Sequence, residues 1–121
     1  MIDAVFYVLV LLFVKHFYVD FVIQTDEQVR GKGIYLNWAG ITHSLNHGIG
    51  TFIIFFIISD VGTALAVGLV DAVIHYHIDW AKMNINKHKG YTPADPMFWT
   101  WLGADQLAHS LTYVWLAWTL S

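Results

Sequence analysis

The chain has 121 residues, of which 57% are hydrophobic and only 12% are charged, and its mean hydropathy is +0.54. A soluble domain carries roughly 25% charged residues, so this chain has too little polar surface to cover a soluble globule, and its composition predicts a membrane protein. The net charge of -3 gives no indication of a nucleic-acid partner, and the absence of cysteine excludes disulfides and thiolate metal ligands.

Four apolar runs predict an all-α, polytopic membrane protein with a single transmembrane domain over residues 1–121. A helix needs about 20 mostly apolar residues to cross a bilayer, and the predicted spans are Ala4–Ile23, Ala39–Ser59, Val61–Trp80 and Phe98–Leu120. The first run is too long for a signal-peptide core, begins with an acidic rather than a basic segment and lacks a cleavage site, so it is predicted to be a retained helix. Short connections favour antiparallel neighbours, which predicts a four-transmembrane-helix bundle.

The basic residues predict the orientation. Arg30 and Lys32 lie in the connection 24–37, and three further lysines lie in the connection 81–97, whereas both termini and the turn at 59–62 have no Lys or Arg. The positive-inside rule then places the long connections in the cytoplasm and both termini outside. Lys15, inside the first span, is expected to reach the interface or to pair with a carboxylate such as Asp20.

Each predicted span carries one ionisable pair at i, i+4 spacing: His16 and Asp20, His43 and His47, His75 and Asp79, Asp105 and His109. Residues four apart lie on one face of a helix. Because neighbouring spans alternate in direction, all four pairs fall at the same membrane level, near the cytoplasmic face. Charged groups inside a bilayer are costly and usually functional, so this agreement predicts one shared site.

Imidazole and carboxylate groups predict a site for a divalent cation. Zn is expected first, with Mn, Fe or Ni as alternatives, and five His with three Asp suffice for one or two ions. Asp71, one turn deeper on the His75 face, is a further ligand, an orienting partner or a catalytic base. Four neighbouring polar residues are expected to orient the ligands or to contact substrate: Gln24, Thr42, Asn46 and Gln106.

The segment from His16 through Asp20 to Gln24 resembles the opening signature of a family of small bacterial and phage four-helix membrane proteins of unknown function. His43 with His47, His75-x-x-x-Asp79 and Asp105-Gln106-x-x-His109 follow the order of that family, over nearly the whole chain. Lys15 departs from the small or apolar residue expected before the first His. Thr42-His43-Ser44 is also similar to a tripeptide of inner-membrane metal-dependent hydrolases, including phospholipase-like ones. These likenesses imply a bacterial inner membrane and support the site residues more than any reaction.

Three functions follow as expectations. The first is a metal-dependent hydrolase that acts at the cytoplasmic leaflet on a lipid head group or phosphoester, with Asp71 as the catalytic base. The second is a transporter or channel for divalent cations or protons, against which the apolar outer halves of the spans argue. The third is a non-catalytic, metal-stabilised envelope factor of a phage or bacterium. The lipid bilayer is the expected partner in all three, and homo-oligomers are compatible with each.

Overall fold

The computed structural model describes residues 2–121, and within that range all the regular structure is helical. Helix α1 spans Ile2–Phe17 and continues into a π-helical turn, Tyr18–Val22. The helices that follow are the short α2, Asp26–Gly31, and the long α3, Trp38–Ile58, α4, Val61–Lys89, and α5, Pro96–Trp118.

Local sequence signals fix where these helices begin and end. Thr25 opens α2 with a capping box, and the Asn37 side chain caps α3. Asp60 caps α4 by accepting hydrogen bonds from the Thr63 amide at 2.9 Å and the Thr63 hydroxyl at 2.8 Å, and these bonds hold the pKa of the exposed Asp60 carboxyl below its usual range. Gly90, with φ +68°, ends α4 in the left-handed conformation that favours glycine.

The helices differ from the predicted segments in two places. The third span was predicted to end at Trp80, but α4 continues to Lys89. At 29 residues it is about 43 Å long, longer than the roughly 30 Å hydrocarbon core, because no Gly or Pro lies between Gly68 and Gly90. The connection 24–37, predicted as a polar loop, contains α2.

Three helical segments are long and apolar enough to cross a membrane: Asp3–Val22, Trp38–Ile58 and Val61–Lys89. Helix α5 is long enough at 23 residues but falls outside this group. Its middle carries Asp105, Gln106 and His109, which lower its hydropathy.

The four long helices pack in a ring. Helix α3 packs against α4, α5 packs against α4 and α1, and α1 closes the ring against α3, while the short α2 packs against α3. Neighbouring helices are antiparallel, because residues further along one helix contact residues earlier in the next. For example, Asp79 meets His109 and Lys82 meets Asp105 across α4 and α5.

Helices α3 and α4 approach most closely at a pair of glycines. A Cβ on Gly48 would lie 2.8 Å from the Gly68 carbonyl oxygen, and a Cβ on Gly68 would lie 2.9 Å from the Gly48 oxygen. Side chains at these two positions would push the backbones apart. The glycines therefore set the distance between the helix that carries His43 and His47 and the helix that carries His75.

The ring is apolar at one end and polar at the other. The apolar end is a buried cluster of Val8, Leu12, Phe55, Ala64, Val67, Tyr113, Leu116 and Ala117. The polar end buries His, Asp and Lys side chains. The outward faces of all four long helices expose large apolar side chains, among them Phe6, Ile57, Leu69 and Leu111. A polar interior and an apolar exterior are the arrangement expected of a chain that lies in lipid.

Candidate metal centre

The four i, i+4 pairs meet inside the polar end of the ring. Each long helix contributes one pair, and Asp20 of the first pair lies in the π-helical turn. Turns of this kind are frequent at functional sites. All eight predicted ligands belong to one continuous network of His–Asp contacts.

Asp20 is the centre of the first half of this network. Its Oδ1 lies 2.8 Å from His47 Nε2 and 3.1 Å from His43 Nε2, and its Oδ2 lies 3.2 Å from His16 Nε2. His75 Nε2 is 4.0 Å from Oδ1. Among residues 2–121, no Lys or Arg nitrogen lies within 4.0 Å of this carboxylate, so its neighbours are imidazoles.

Asp79 is the centre of the second half. Its Oδ2 lies 3.1 Å from His75 Nε2 and 3.5 Å from His43 Nε2, and its Oδ1 lies 3.1 Å from His109 Nε2. His109 Nε2 is also 3.4 Å from Asp105 Oδ2. The two halves share His43 and His75. The His75 ring stacks between His47 and His109 with centroid separations of 3.6 and 3.9 Å.

Two sets of these side chains have the spacing of metal ligands. One ligand atom from each of Asp20, His43, His47 and His75 lies within 4.8 Å of the others, and the same holds for His75, Asp79 and His109. Three imidazoles with one carboxylate suit a tetrahedral divalent ion such as Zn²⁺. The predicted ligands His16 and Asp105 lie outside both sets, each against one of their members.

Unpartnered nitrogens support the same interpretation. Among residues 2–121, the buried Nδ1 atoms of His43 and His75 have no hydrogen-bond partner. The Nε2 atoms of both rings lie 3.1 Å from a carboxylate oxygen, yet without the geometry of a hydrogen bond. Buried polar atoms are nearly always satisfied, and an unsatisfied group calls for an explanation such as an ion. The donor set therefore fits a metal.

The other three buried carboxylates each contact a lysine. Lys15 Nζ lies 2.9 Å from Asp71 Oδ2, Lys32 Nζ lies 3.4 Å from Asp79 Oδ2, and Lys82 Nζ lies 3.5 Å from Asp105 Oδ1. Within the described part of the chain, Asp20 is the one carboxylate of the four without a lysine neighbour. Sequence spacing did not indicate these pairs, because each joins residues on different elements.

Lys15 pairs with a carboxylate, which was one of the two expectations, but that carboxylate is Asp71 rather than the example Asp20. It is buried, with Nζ 3.1 Å from His47 Nδ1 and 3.3 Å from the Tyr113 hydroxyl, in addition to Asp71. Gly50 makes room for it, since a Cβ there would lie 2.6 Å from Lys15 Cγ. Asp71 also accepts a hydrogen bond from the Thr51 hydroxyl. Asp71 therefore lies beside the cluster, held by Lys15 and Thr51, and belongs to neither ligand set.

Of the four flanking polar residues, Gln106 makes the most direct contacts. Its Oε1 lies 3.0 Å from His16 Nε2, and its Nε2 donates to Asp105 Oδ2 at 3.1 Å. The Gln24 side chain donates to the Asp20 carbonyl, and Thr42 donates to the Ala39 carbonyl. Asn46 is half-buried on α3.

Tyr113 and Thr51 also contact residues of the site, but neither was predicted there, although each lies one helical turn beyond a predicted pair. Tyr113 follows His109 by four residues and contacts His16 Nδ1 at 2.8 Å, and Thr51 follows His47 by four. The same i, i+4 rule that found the pairs would have placed both on the inward face.

A family model, described as protein of unknown function (DUF3307), matches residues 8–121. The chain belongs to the DUF3307 family. The match covers all four His/Asp pairs and confirms the expectation of a family of unknown function, but it assigns no reaction. No curated protein and no solved structure matches this DUF3307 chain.

Proposed function

We propose that this DUF3307 protein is a membrane-embedded, metal-dependent hydrolase that acts at the cytoplasmic leaflet on a lipid head group or phosphoester. The observation that carries the proposal is the environment of Asp20. This carboxylate is surrounded by imidazoles, while every other buried carboxylate of the cluster contacts an ammonium group. A divalent cation is the partner that Asp20 and its His neighbours suit best, with Zn first and Mn, Fe or Ni as alternatives.

The two ligand sets suit different tasks. Four ligands, as in the set around Asp20, saturate a tetrahedral ion, whereas three, as in His75, Asp79 and His109, leave a position for water. An ion held by these three residues would activate water as a nucleophile at neutral pH. The three-ligand set and the neighbouring Asp105 therefore support the proposed hydrolysis.

Asp105 is better placed than Asp71 to accept a proton from water. Its Oδ1 accepts no hydrogen bond from the described residues and is 3.5 Å from Lys82, a longer contact than the 2.9 Å between Lys15 and Asp71. Its Oδ2 accepts a hydrogen bond from Gln106 and lies 3.4 Å from His109, a member of the three-ligand set. Asp71 is engaged by Lys15 and Thr51 away from both sets. We therefore assign Asp71 to positioning: it holds Lys15, and Lys15 contacts His47 Nδ1.

The exterior of α5 supports a fourth membrane crossing. Leu107, Leu111, Trp115 and Trp118 are 49–65% exposed on that helix, which suits lipid better than water. With α5 included, the protein is an antiparallel four-transmembrane-helix bundle in a bacterial inner membrane. The excess of Lys and Arg at the polar end orients that end to the cytoplasm.

Transport across the membrane is less well supported. The apolar end of the ring closes on side chains that are at most 1% exposed, including Leu12, Phe55 and Leu116. A path for a cation or a proton would need polar groups through this apolar end. Among the described residues, the buried cluster there is apolar except for the Tyr113 hydroxyl, which contacts His16. A site that apolar side chains close off from one membrane face suits hydrolysis at the leaflet of the other face.

Metal analysis of the detergent-purified protein tests the proposal. We expect wild-type protein and the control Asp26→Asn, an exposed carboxylate, to retain zinc after dialysis, and Asp20→Asn to lose most of it. The zinc-loaded wild type should release phosphate or a head group from a panel of phospholipids and phosphoesters, and His75→Ala should not.

Protein without bound metal would overturn the metal centre. Bound metal with no cleavage anywhere in the panel would overturn the hydrolase and favour a metal-stabilised envelope factor. Zinc or proton flux into proteoliposomes that is lost in His75→Ala would favour a transporter.

A further inference from the structure

A crevice between α4 and α5 opens beside the metal centre. Its volume is about 220 Å³, and most of its walls are apolar, formed by Ile78, Ala81, Ile85, Trp101, Ala104 and Ala108. Lys82 and Asp105 are the two ionisable side chains that line it. The crevice therefore combines a surface for hydrocarbon with one cation next to a residue of the cluster.

The Lys82 ammonium has hydrogen-bonding capacity that the protein does not use. Its side chain is 14% exposed, its Nζ lies 3.5 Å from Asp105 Oδ1, and within residues 2–121 it donates no hydrogen bond. Oδ1 of Asp105 is likewise buried without a hydrogen-bond partner. An ammonium group has three donors, and phosphate oxygens accept them well.

We propose that this crevice binds the phosphate-bearing head group of a membrane lipid, with Lys82 contacting the phosphate and the apolar walls contacting the adjoining hydrocarbon. The lipid, rather than free phosphate, is the source because the walls are apolar and neighbouring α5 residues such as Leu107, 59% exposed, face outward. Trp101, in the wall, is a side chain typical of membrane interfaces.

The inference rests on the proposed metal centre in one respect. The Asp105 carboxylate already offsets the charge of Lys82, 3.5 Å away, so an anion in the crevice needs a further cation nearby. His109, a member of the three-ligand set, lies 3.4 Å from Asp105 Oδ2, so a metal ion in that set would supply the compensation. Binding of the phosphate head group should therefore be stronger in zinc-loaded protein than in chelator-treated protein.

Lys82 is distinguished from the other lysines by its position. Lys32 also contacts a cluster carboxylate, at 3.4 Å from Asp79, but it does not line the crevice. Lys87 lies on the same helix as Lys82 and is exposed. Lys87→Met is therefore the matched control for Lys82→Met, since it removes one charge from α4 without touching the crevice.

Native mass spectrometry of the detergent-solubilised, zinc-loaded full chain tests the inference with two probes that differ only in phosphate, dioleoyl phosphatidic acid and dioleoylglycerol. We expect wild type and Lys87→Met to bind the phosphatidic acid about tenfold or more tightly than the diacylglycerol. Lys82→Met should lose that preference, and Lys82→Arg should keep it. Inorganic phosphate at the same concentration should not displace the lipid.

A second variant tests the crevice without changing Lys82, in case Lys82→Met does not fold. Ala104→Phe fills the crevice and keeps Lys82, and it should weaken binding of the phosphatidic acid with unchanged zinc content. Equal binding of the two lipids by zinc-loaded wild type, full binding by folded Lys82→Met, or displacement by free phosphate would each overturn the lipid site and leave the metal centre intact. Failure of wild type to take up zinc would instead overturn the metal centre.

Discussion

Replacing Lys15 by methionine is expected to leave Asp71 as an uncompensated charge inside the bundle. The two side chains are 7% and 2% exposed, and their 2.9 Å contact is the shortest of the three Lys–Asp contacts. Removing one partner of a buried ion pair costs about 3–5 kcal/mol of folding free energy, whereas replacing both partners is often neutral. Methionine keeps the apolar stem that packs beside Gly50. The loss of folding free energy should therefore come from the unpaired Asp71 charge rather than from a change in side-chain volume.

The assay is thermal unfolding of the detergent-solubilised protein with a chelator present, followed by tryptophan fluorescence. Lys15→Met should lower Tm by about 10 °C or more, and the double variant Lys15→Met, Asp71→Asn should recover most of the loss. Lys87→Met, which removes an exposed charge, should leave Tm unchanged. A Lys15→Met protein that melts with the wild type, or a double variant no more stable than that single variant, would refute a buried ion pair.

Three further outcomes are expected. Gly68→Val should destabilise the protein by about 1–3 kcal/mol in thermal unfolding because its Cβ would meet the α3 backbone, while Gly103→Ala, which meets nothing within 4 Å, should not. Asp60→Asn should melt below wild type at pH 7, and the difference should vanish as pH falls through the lowered pKa of Asp60, where wild type also loses its charged cap. Lys32→Met should bind zinc several-fold more tightly in competition titrations than Lys87→Met, because it removes a buried cation from Asp79, which contacts His43 and His75 of the set around Asp20.

Helical periodicity was sufficient to predict which His and Asp side chains meet. The i, i+4 spacing places each pair on one face, and alternating helix direction places His16, His43, His75 and Asp105 at one level. These two rules need no knowledge of side-chain packing. For that reason the composition of the cluster could be predicted although its two overlapping ligand sets could not.

The partner of Lys15 could not be predicted in this way. Lys15 is about 100° around the helix from His16, and Asp71 lies on the helix across the ring, so no sequence spacing connects them. Only the packed structure shows that Gly50 leaves space for the lysine stem. The end of α4 was missed for a different reason. Bilayer thickness limits how much of a helix lies in lipid, but it does not end a helix that continues to Lys89 outside it.

The charges of the cluster lead to an expectation for the number of ions. Three ammonium groups face four carboxylates, which leaves one net negative charge when the imidazoles are neutral. One divalent ion brings the total to one positive charge and two bring it to three, which is costly in a poorly solvated interior. We therefore expect one zinc per chain, in the set around Asp20, in phosphate-free buffer. Because His75 belongs to both sets, a second zinc would be held by Asp79, His109 and the neighbouring Asp105, and it should bind only together with an anion near Lys82. A phosphatidic acid probe should therefore raise the measured stoichiometry. Two zinc ions per chain without any added anion would refute the charge argument.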